Sequence, residues 1–267
     1  LKEYSTKKKL ITNGCSFTRG HTLGEKTSWP FWLSKLTDKE LYNISIGGSS
    51  NEYIALKLIS YLETQTDDFI DDCFVIVQWT ECVRQMVWFE SELSDSWMGR
   101  QPEDGNSRWC TISTQFFKSD LDGQNLDILL SFFSSIEAAL SKTYFSMLSV
   151  KKYLESKNIP YLFFDGINNH NIEIKRIDEN NIKGYLQNSL LTYDELDLSK
   201  GYGSDGIRDL GMINEKTINT IYDNNFFTDY CYRYWLDVNN TKGEYVDDLH
   251  PTELASKEWA QIIGNHL

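Results

Sequence analysis

The sequence predicts an α/β fold, with a mostly parallel, doubly wound sheet held between two layers of helices. Three observations predict it. Short apolar runs suited to strands alternate with apolar stripes at helical spacing, four times over. The run "CFVIVQW" (73–79) is apolar almost throughout, as a strand is when both faces of its parallel sheet are covered. Ser16, Gly48, Thr80 and Asp165 each fall at or just beyond the end of such a run, at the sheet edge where doubly wound folds bind ligands.

Residues 8 to 14 read as the first strand, with Leu10 and Ile11 giving way to Gly14. Trp29, Trp32, Leu33 and Leu36 then recur at i, i+3, i+4 and i+7, with Pro30 suited to a first helical turn. "ELYNISI" (40–46) is the second strand, stopped by Gly47 and Gly48. Ile54, Leu58, Ile59 and Leu62 mark the second helix, for which Ser49 and Glu52 form a capping-box pattern. After the third strand at 73–79, residues 89–128 are charged, Gly-containing and Trp-rich, and read as an insertion. Leu129, Phe132, Phe133, Ile136 and Leu140 restart a helical stripe that runs to about Lys157. "PYLFFDG" (160–166) is the fourth strand, and 169–243, rich in Asn, Asp and Tyr, reads as a second and larger insertion. Ala255, Trp259, Ile262 and Ile263 line a terminal helix that begins near Pro251. The expectation is one domain, 1–267, carrying both insertions.

Composition narrows the function classes. Apolar residues make up 40% of the 267 and aromatics 14%, enough for a sizeable core. Net charge is −13, from 26 basic and 39 acidic side chains, and an acidic surface repels phosphate backbones, so nucleic acid is not the expected partner. The cationic run Lys7-Lys8-Lys9 abuts the first strand and reads as its solvated edge. The five cysteines are odd in number and include no Cys-x-x-Cys pair, which argues for reduced thiols rather than a disulfide framework or zinc site. No signal-peptide pattern is visible, and no apolar run approaches the roughly 18 residues of a membrane span. Synthesis in a cytoplasm, with no membrane partner, is the expectation. The residues leave oligomeric state open.

A serine attacks a carbonyl only when a base takes its proton and an acidic group orients that base. Ser16, in "NGCSFTRG", is the candidate nucleophile. Of four histidines, His21 shares its loop at an awkwardly short tether, His170 lies in the polar "INNHN", and His266 is one residue from the end. His250 stands in "DDLHPTELA", with Asp247 three residues before it. That spacing lets the carboxylate fold back on Nδ1 while Nε2 faces outward. By itself a Gly-x-Ser after a strand is a turn, and an Asp-x-x-His before a helix is a cap. Their joint presence at opposite ends of one α/β chain, with Gly48 ending the second strand, points to chemistry. Cys15 reads as packing; Glu81 and Arg84 either pair with each other or bind a substrate acid; Asp165 either lines the cleft or caps the next loop. Asp247 and Asp248 lack a second cluster at ligand spacing, so neither a metal nor another cofactor is expected. Trp29, Trp32 and Trp259 read as core, and Trp88, Trp97 and Trp109 as candidates for a carbohydrate or partner surface.

These stretches resemble the blocks of the SGNH (GDSL-like) hydrolases. "NGCSFTRG" resembles the first block, with Cys15 where many members have Asp; "NISIGGSSNEYI" resembles the second; "DDLHPTELA" resembles the last, with its Asp-x-x-His-Pro signature; and "VIVQWTECVR" occupies the third. The Gly-Cys-Ser-Phe-Thr form is most similar to members found in tailed bacteriophages. The resemblance spans roughly 8–88, 129–168 and 244–267, and neither insertion. It implies a three-layer α/β/α, flavodoxin-like sandwich. It implies Ser16 as nucleophile, His250 as base and then acid, and Asp247 as orienter, with the N–H groups of Ser16 and Gly48 as oxyanion donors. The third block departs from the family's Gly-x-Asn-Asp by placing Thr80 where Asn would donate. Asn51, three residues past Gly48, is the expected substitute. The implied activity is that of a serine esterase or deacetylase removing a small acyl group, such as O-acetyl from a glycan. Alternatives are a non-catalytic binding or virion-associated structural module on the same scaffold, and an acyltransferase.

Overall fold

Alternation of side chains along each strand divides the core into two halves, one on each side of a central sheet. The computed structural model describes residues 4–20, 24–82, 84–88, 109–112, 136–167, 225–227, 232–240, 243–247 and 250–267. In chain order these form β1 (Lys9–Asn13), α1 (Ser16–Arg19), α2 (Trp29–Thr37), β2 (Glu40–Asn43), α3 (Asn51–Glu63), α4 (Asp67–Asp71) and β3 (Cys73–Trp79). There follow β4 (Gln85–Trp88), β5 (Trp109–Ile112), α5 (Ile136–Ser156), β6 (Tyr161–Asp165) and β7 (Phe226–Phe227). The carboxyl-terminal part holds α6 (Tyr232–Asn239), β8 (Val246–Asp247), β9 (His250–Pro251) and α7 (Glu253–His266). The main sheet has the order β2-β1-β3-β6-β7, and every neighbouring pair is parallel. The strand order reverses between β1 and β3, so the loop after β1 opens at the switch point where such sheets bind ligands.

The period of two is legible in the packing. Ile11, Val75, Val77 and Phe163 meet Ile54, Leu58 and Leu62 of α3 and Met147, Val150 and Leu154 of α5. Leu10, Phe74, Ile76, Leu162 and Phe164 meet Trp29 and Leu33 of α2, Tyr232 and Leu236 of α6, and Trp259 and Ile263 of α7. Trp259 anchors this second half. Its ring stacks on Tyr232 at 4.5 Å and 11° and meets the Phe164 ring edge-on at 5.6 Å. Phe164 in turn touches the Trp29 ring at 5.4 Å. The aromatic cluster thus docks the carboxyl-terminal helix on the same sheet face as α2.

The architecture agrees with the expected α/β class, and the differences are local. The strand at 73–79 is buried at every position. Leu36, expected on the buried stripe of α2, lies in the helix's last turn and is 53% exposed. The cap of α3 is Ser50, whose Oγ accepts from the Tyr53 N–H at 3.2 Å; Ser49 instead donates to the Ile46 carbonyl. Pro251 does not open the terminal helix. It pairs in β9 with Val246, and Thr252 caps α7 by accepting from the Ala255 N–H. Within 169–243, read as an insertion, β7 joins the sheet edge and α6 contributes Tyr232, Trp235 and Leu236 to the core. In the region of the first expected insertion, β4 and β5 form a separate antiparallel pair; Leu129, Phe132 and Phe133 lie outside the described residues.

At the amino ends of the strands, Asp72 ties β1 to β3. Its Oδ1 accepts from the Lys8 N–H and its Oδ2 from Lys9 Nζ, both at 3.0 Å, while its carbonyl accepts from the Lys9 N–H. The Lys8 N–H first, and the Lys9 ammonium next, hold the Asp72 carboxyl below the usual carboxylate range. A depressed folded-state pKa contributes stability that is present above the unfolded value of about 3.9 and lost as pH falls through the folded one. Asp72→Asn is therefore less stable than wild type in chemical denaturation at pH 7. The gap closes once both proteins are measured below the folded-state pKa.

Candidate functional site

Ser16 stands where β1 turns into the four-residue α1. Cys15 is the extended residue before the helix, and Gly20 ends it in the left-handed conformation (φ 81°). The turn is held by side-chain amides. Asn13, at the end of β1, donates to the Ile54 carbonyl at 2.8 Å and accepts from the Gly14 N–H at 2.9 Å. Asn43, at the end of β2, donates to the Thr18 carbonyl at 3.0 Å. Gln78, in β3, accepts from Thr18 Oγ1 at 2.7 Å and Trp29 Nε1 at 3.2 Å, and its Nε2 donates to Cys15 Sγ at 3.4 Å. A Cβ at Gly14 would overlap Thr18 Oγ1, so glycine there makes room for this network.

The Gly48 loop runs beside it. Backbone bonds from Ile44 N–H to the Thr12 carbonyl (2.9 Å) and from Ile46 N–H to the Gly14 carbonyl (3.3 Å) carry the β1–β2 pairing past the strand ends. Gly48 then takes φ 78°, which a side chain would strain. Among the described residues, neither the Ser16 N–H nor the Gly48 N–H has a hydrogen-bond partner.

His250 comes from the other end of the chain. Its Nε2 lies 3.1 Å from Ser16 Oγ, across 234 positions of sequence. The imidazole packs against the Phe17 ring at 5.7 Å, edge to face. Asp247 stands directly opposite His250 in the β8–β9 ladder. Ser16 is 6% exposed and His250 half-buried, so the hydroxyl is sheltered while the imidazole keeps some contact with solvent. His266 ends α7 on the surface, and His21 and His170 lie outside the described residues.

The third block is built differently from the expectation. Asn51 is fully buried, and both its amide hydrogens are taken, by the Thr80 carbonyl at 3.0 Å and Thr143 Oγ1 at 3.1 Å. Its Oδ1 accepts from the Thr80 N–H at 2.8 Å. The oxyanion role expected of Asn51 does not fit that geometry: the side chain is a strut joining α3, the end of β3 and α5. Thr80 keeps a hydroxyl without a partner among the described residues, sealed from solvent. Glu81 and Arg84, for which two readings stood open, form a buried ion pair with each other. Burial by itself lowers the Arg84 pKa, but the Glu81 carboxylate and then Cys15 outweigh it, and the guanidinium is held charged. Cys15, Cys73 and Cys82 are buried, and none of them is in a disulfide among the described residues. Asp165 is buried at the end of β6. Among the described residues there is no group of three metal-ligating side chains, and no helix is long and apolar enough to cross a membrane. Trp88 and Trp109 occupy facing positions in the β4–β5 pair, and Trp97 lies outside the described residues.

Gln78 was not among the sequence candidates. The available signal was a single amide in an otherwise apolar, doubly covered strand, since a polar group buried there must find partners.

No family model and no curated protein matches the chain. Solved structures resemble it across nearly its whole length at low identity. One is TesA, at 12% identity and a TM-score of 0.47, with 97% of each chain covered. A member of the lipolytic G-D-S-L family from Veillonella parvula is 14% identical at a TM-score of 0.45, over 95% of this chain and 94% of that one. The psychrotrophic esterase EstA from Pseudoalteromonas sp. is 12% identical at 0.45, over 97% and 96%. Likeness at this level carries no weight for activity, which has to be read from the side chains.

Truncating Asn51 to alanine leaves the Thr80 N–H and C=O unpaired in a dry interior. A loss of about 2–6 kcal/mol is expected in chemical denaturation, summing two buried unsatisfied groups. A loss below about 0.5 kcal/mol, within the range of an ordinary surface substitution, would contradict the strut.

Proposed function

We propose that the chain is a serine ester hydrolase that removes a small acyl group by way of an acyl-enzyme. The observation that carries this reading is the 3.1 Å approach of Ser16 Oγ to His250 Nε2, a nucleophile and base within hydrogen-bond reach. With its proton on Nδ1, His250 accepts the Ser16 proton as Oγ attacks the carbonyl carbon. Asp247 is the proposed orienter. Support for it comes from its backbone register directly opposite His250 in the β8–β9 pair. The unpartnered N–H groups of Ser16 and Gly48 are the proposed donors to the tetrahedral oxyanion, where each is worth about 10²–10³ in rate. Collapse expels the alkoxide, which takes the proton from His250. Water, deprotonated by the same imidazole, then releases the acid and regenerates Ser16. Nothing in this sequence of steps calls on a cofactor. Thr80 Oγ1 is the proposed third donor, in the place the family fills with Asn.

The resemblance of the Ser16, Gly48 and His250 stretches to SGNH blocks extends the proposal to O-acetyl groups on a glycan, and to a phage or virion setting. A second reading is a binding module that has kept the scaffold. What favours it is the third block, where Asn51 is committed to Thr80 and the Thr80 hydroxyl is sealed from solvent.

Hydrolysis of p-nitrophenyl acetate separates the two. Wild type is expected to turn over, Ser16→Ala to fall to the buffer rate with an unchanged circular dichroism spectrum, and Asp247→Asn to lose about 10²–10⁴ in kcat, bounded by the loss known for the same change in serine proteases. Equal release by wild type and Ser16→Ala would reject the hydrolase.

A further inference from the structure

We propose that Gln78 is a positioning residue for Ser16: its buried amide clamps the Cys15–Thr18 turn to the central strand and so sets where the serine hydroxyl stands. This inference rests on the reading of Ser16 as a nucleophile.

Gln78 is fully buried in β3, one residue before its end. By strand alternation it shares a face with Phe74 and Ile76, whose neighbours are aromatic and aliphatic. An amide in such a place is costly unless it is bonded. The orientation of the amide follows from its partners. Indole N–H groups only donate, so the Gln78 atom 3.2 Å from Trp29 Nε1 is the oxygen. Thr18 Oγ1 donates to the same oxygen at 2.7 Å, and the nitrogen is left facing Cys15 Sγ at 3.4 Å.

These partners bracket the nucleophile. Cys15 immediately precedes Ser16 and Thr18 lies two residues beyond it, both fully buried. The Ser16 backbone therefore cannot shift without breaking a bond to one neighbour or the other. Trp29, the first residue of α2, ties the same oxygen to the helix layer. Glycines leave the room: a Cβ at Gly166 would run into the Gln78 amide, and one at Gly14 into Thr18 Oγ1 and to 3.0 Å from Gln78 Cβ. Three separate segments thus converge on one amide, which acts on Ser16 only through the residues beside it. Misplacement of a reacting group by about 1 Å costs on the order of 10²-fold in rate, the scale on which this clamp operates.

The test uses Gln78→Met, which keeps length and volume but neither donates nor accepts through an amide. On p-nitrophenyl acetate the expected result is a kcat about 30–300-fold lower, bracketing that scale, with KM changed by less than about threefold. Amide hydrogen exchange should become faster at residues 14–20 and not in α3 or α5. A kcat within about threefold of wild type overturns the proposal. If wild type itself shows no Ser16-dependent turnover, the hydrolase reading has failed. Exchange at 14–20 then decides the clamp alone, with faster exchange supporting it and unchanged exchange overturning it. Should Gln78→Met not fold, Thr18→Val and Thr18→Ser serve instead. Valine removes the hydroxyl and is expected to lower kcat by about tenfold or more, within the reach of a misplaced reacting group. Serine retains the hydroxyl and should stay within about threefold of wild type. Equal kcat in the two overturns the proposal.

Discussion

The arrangement depends on one long-range meeting, that of Ser16 near the amino end of the chain with His250 near its carboxyl end, 3.1 Å apart. Neither residue's local sequence can bring the other to it. Ser16 is set by the parallel pairing of β1 between β2 and β3. His250 is set by its ladder with Val246–Asp247 and by the docking of α7. That docking is aromatic and apolar: Trp259 lies between Tyr232 and Phe164, and each large buried ring contributes on the order of 1.5–3 kcal/mol. The hydrogen bond at the site thus depends on core packing around Trp259 as well as on the two loops that carry its partners.

A second theme is the use of carboxamides at the carboxyl ends of the strands. Backbone groups there run out of ladder partners just where the loops must be firm. Asn13, Asn43, Asn51 and Gln78 each bring a donor and an acceptor to such a place. Satisfied networks of this kind rigidify a dry region, whereas half-satisfied ones destabilise it. The consequence for chemistry is direct. The amides that fix the loops are committed to them, so under the proposed mechanism the oxyanion donors are backbone N–H groups and the hydroxyl of Thr80.

Much of this was legible in the chain because the sheet is covered on both faces, so its strands appear as continuous apolar runs such as 73–79 and 161–164. The pairing of Ser16 with His250 was legible because only one histidine is followed by Pro and preceded by Asp at a turn's distance. Other features carried no local signal. β7 is two phenylalanines inside a polar stretch, and its strand character comes only from pairing beside Phe163 and Phe164. The Pro251 ring fits a first helical turn equally well as a bridge position, and Thr252 decides between them by capping. Asn51 looked available because its partners are Thr80 and Thr143, 29 and 92 positions away.

Reaction with a fluorophosphonate tests the central meeting most directly, because it requires a serine whose proton an adjacent base can remove. The account predicts one adduct per chain, located on Ser16 by peptide mass mapping. It predicts formation at least about 100-fold slower in His250→Ala. An adduct on another residue, or none on the folded wild-type chain, would contradict it.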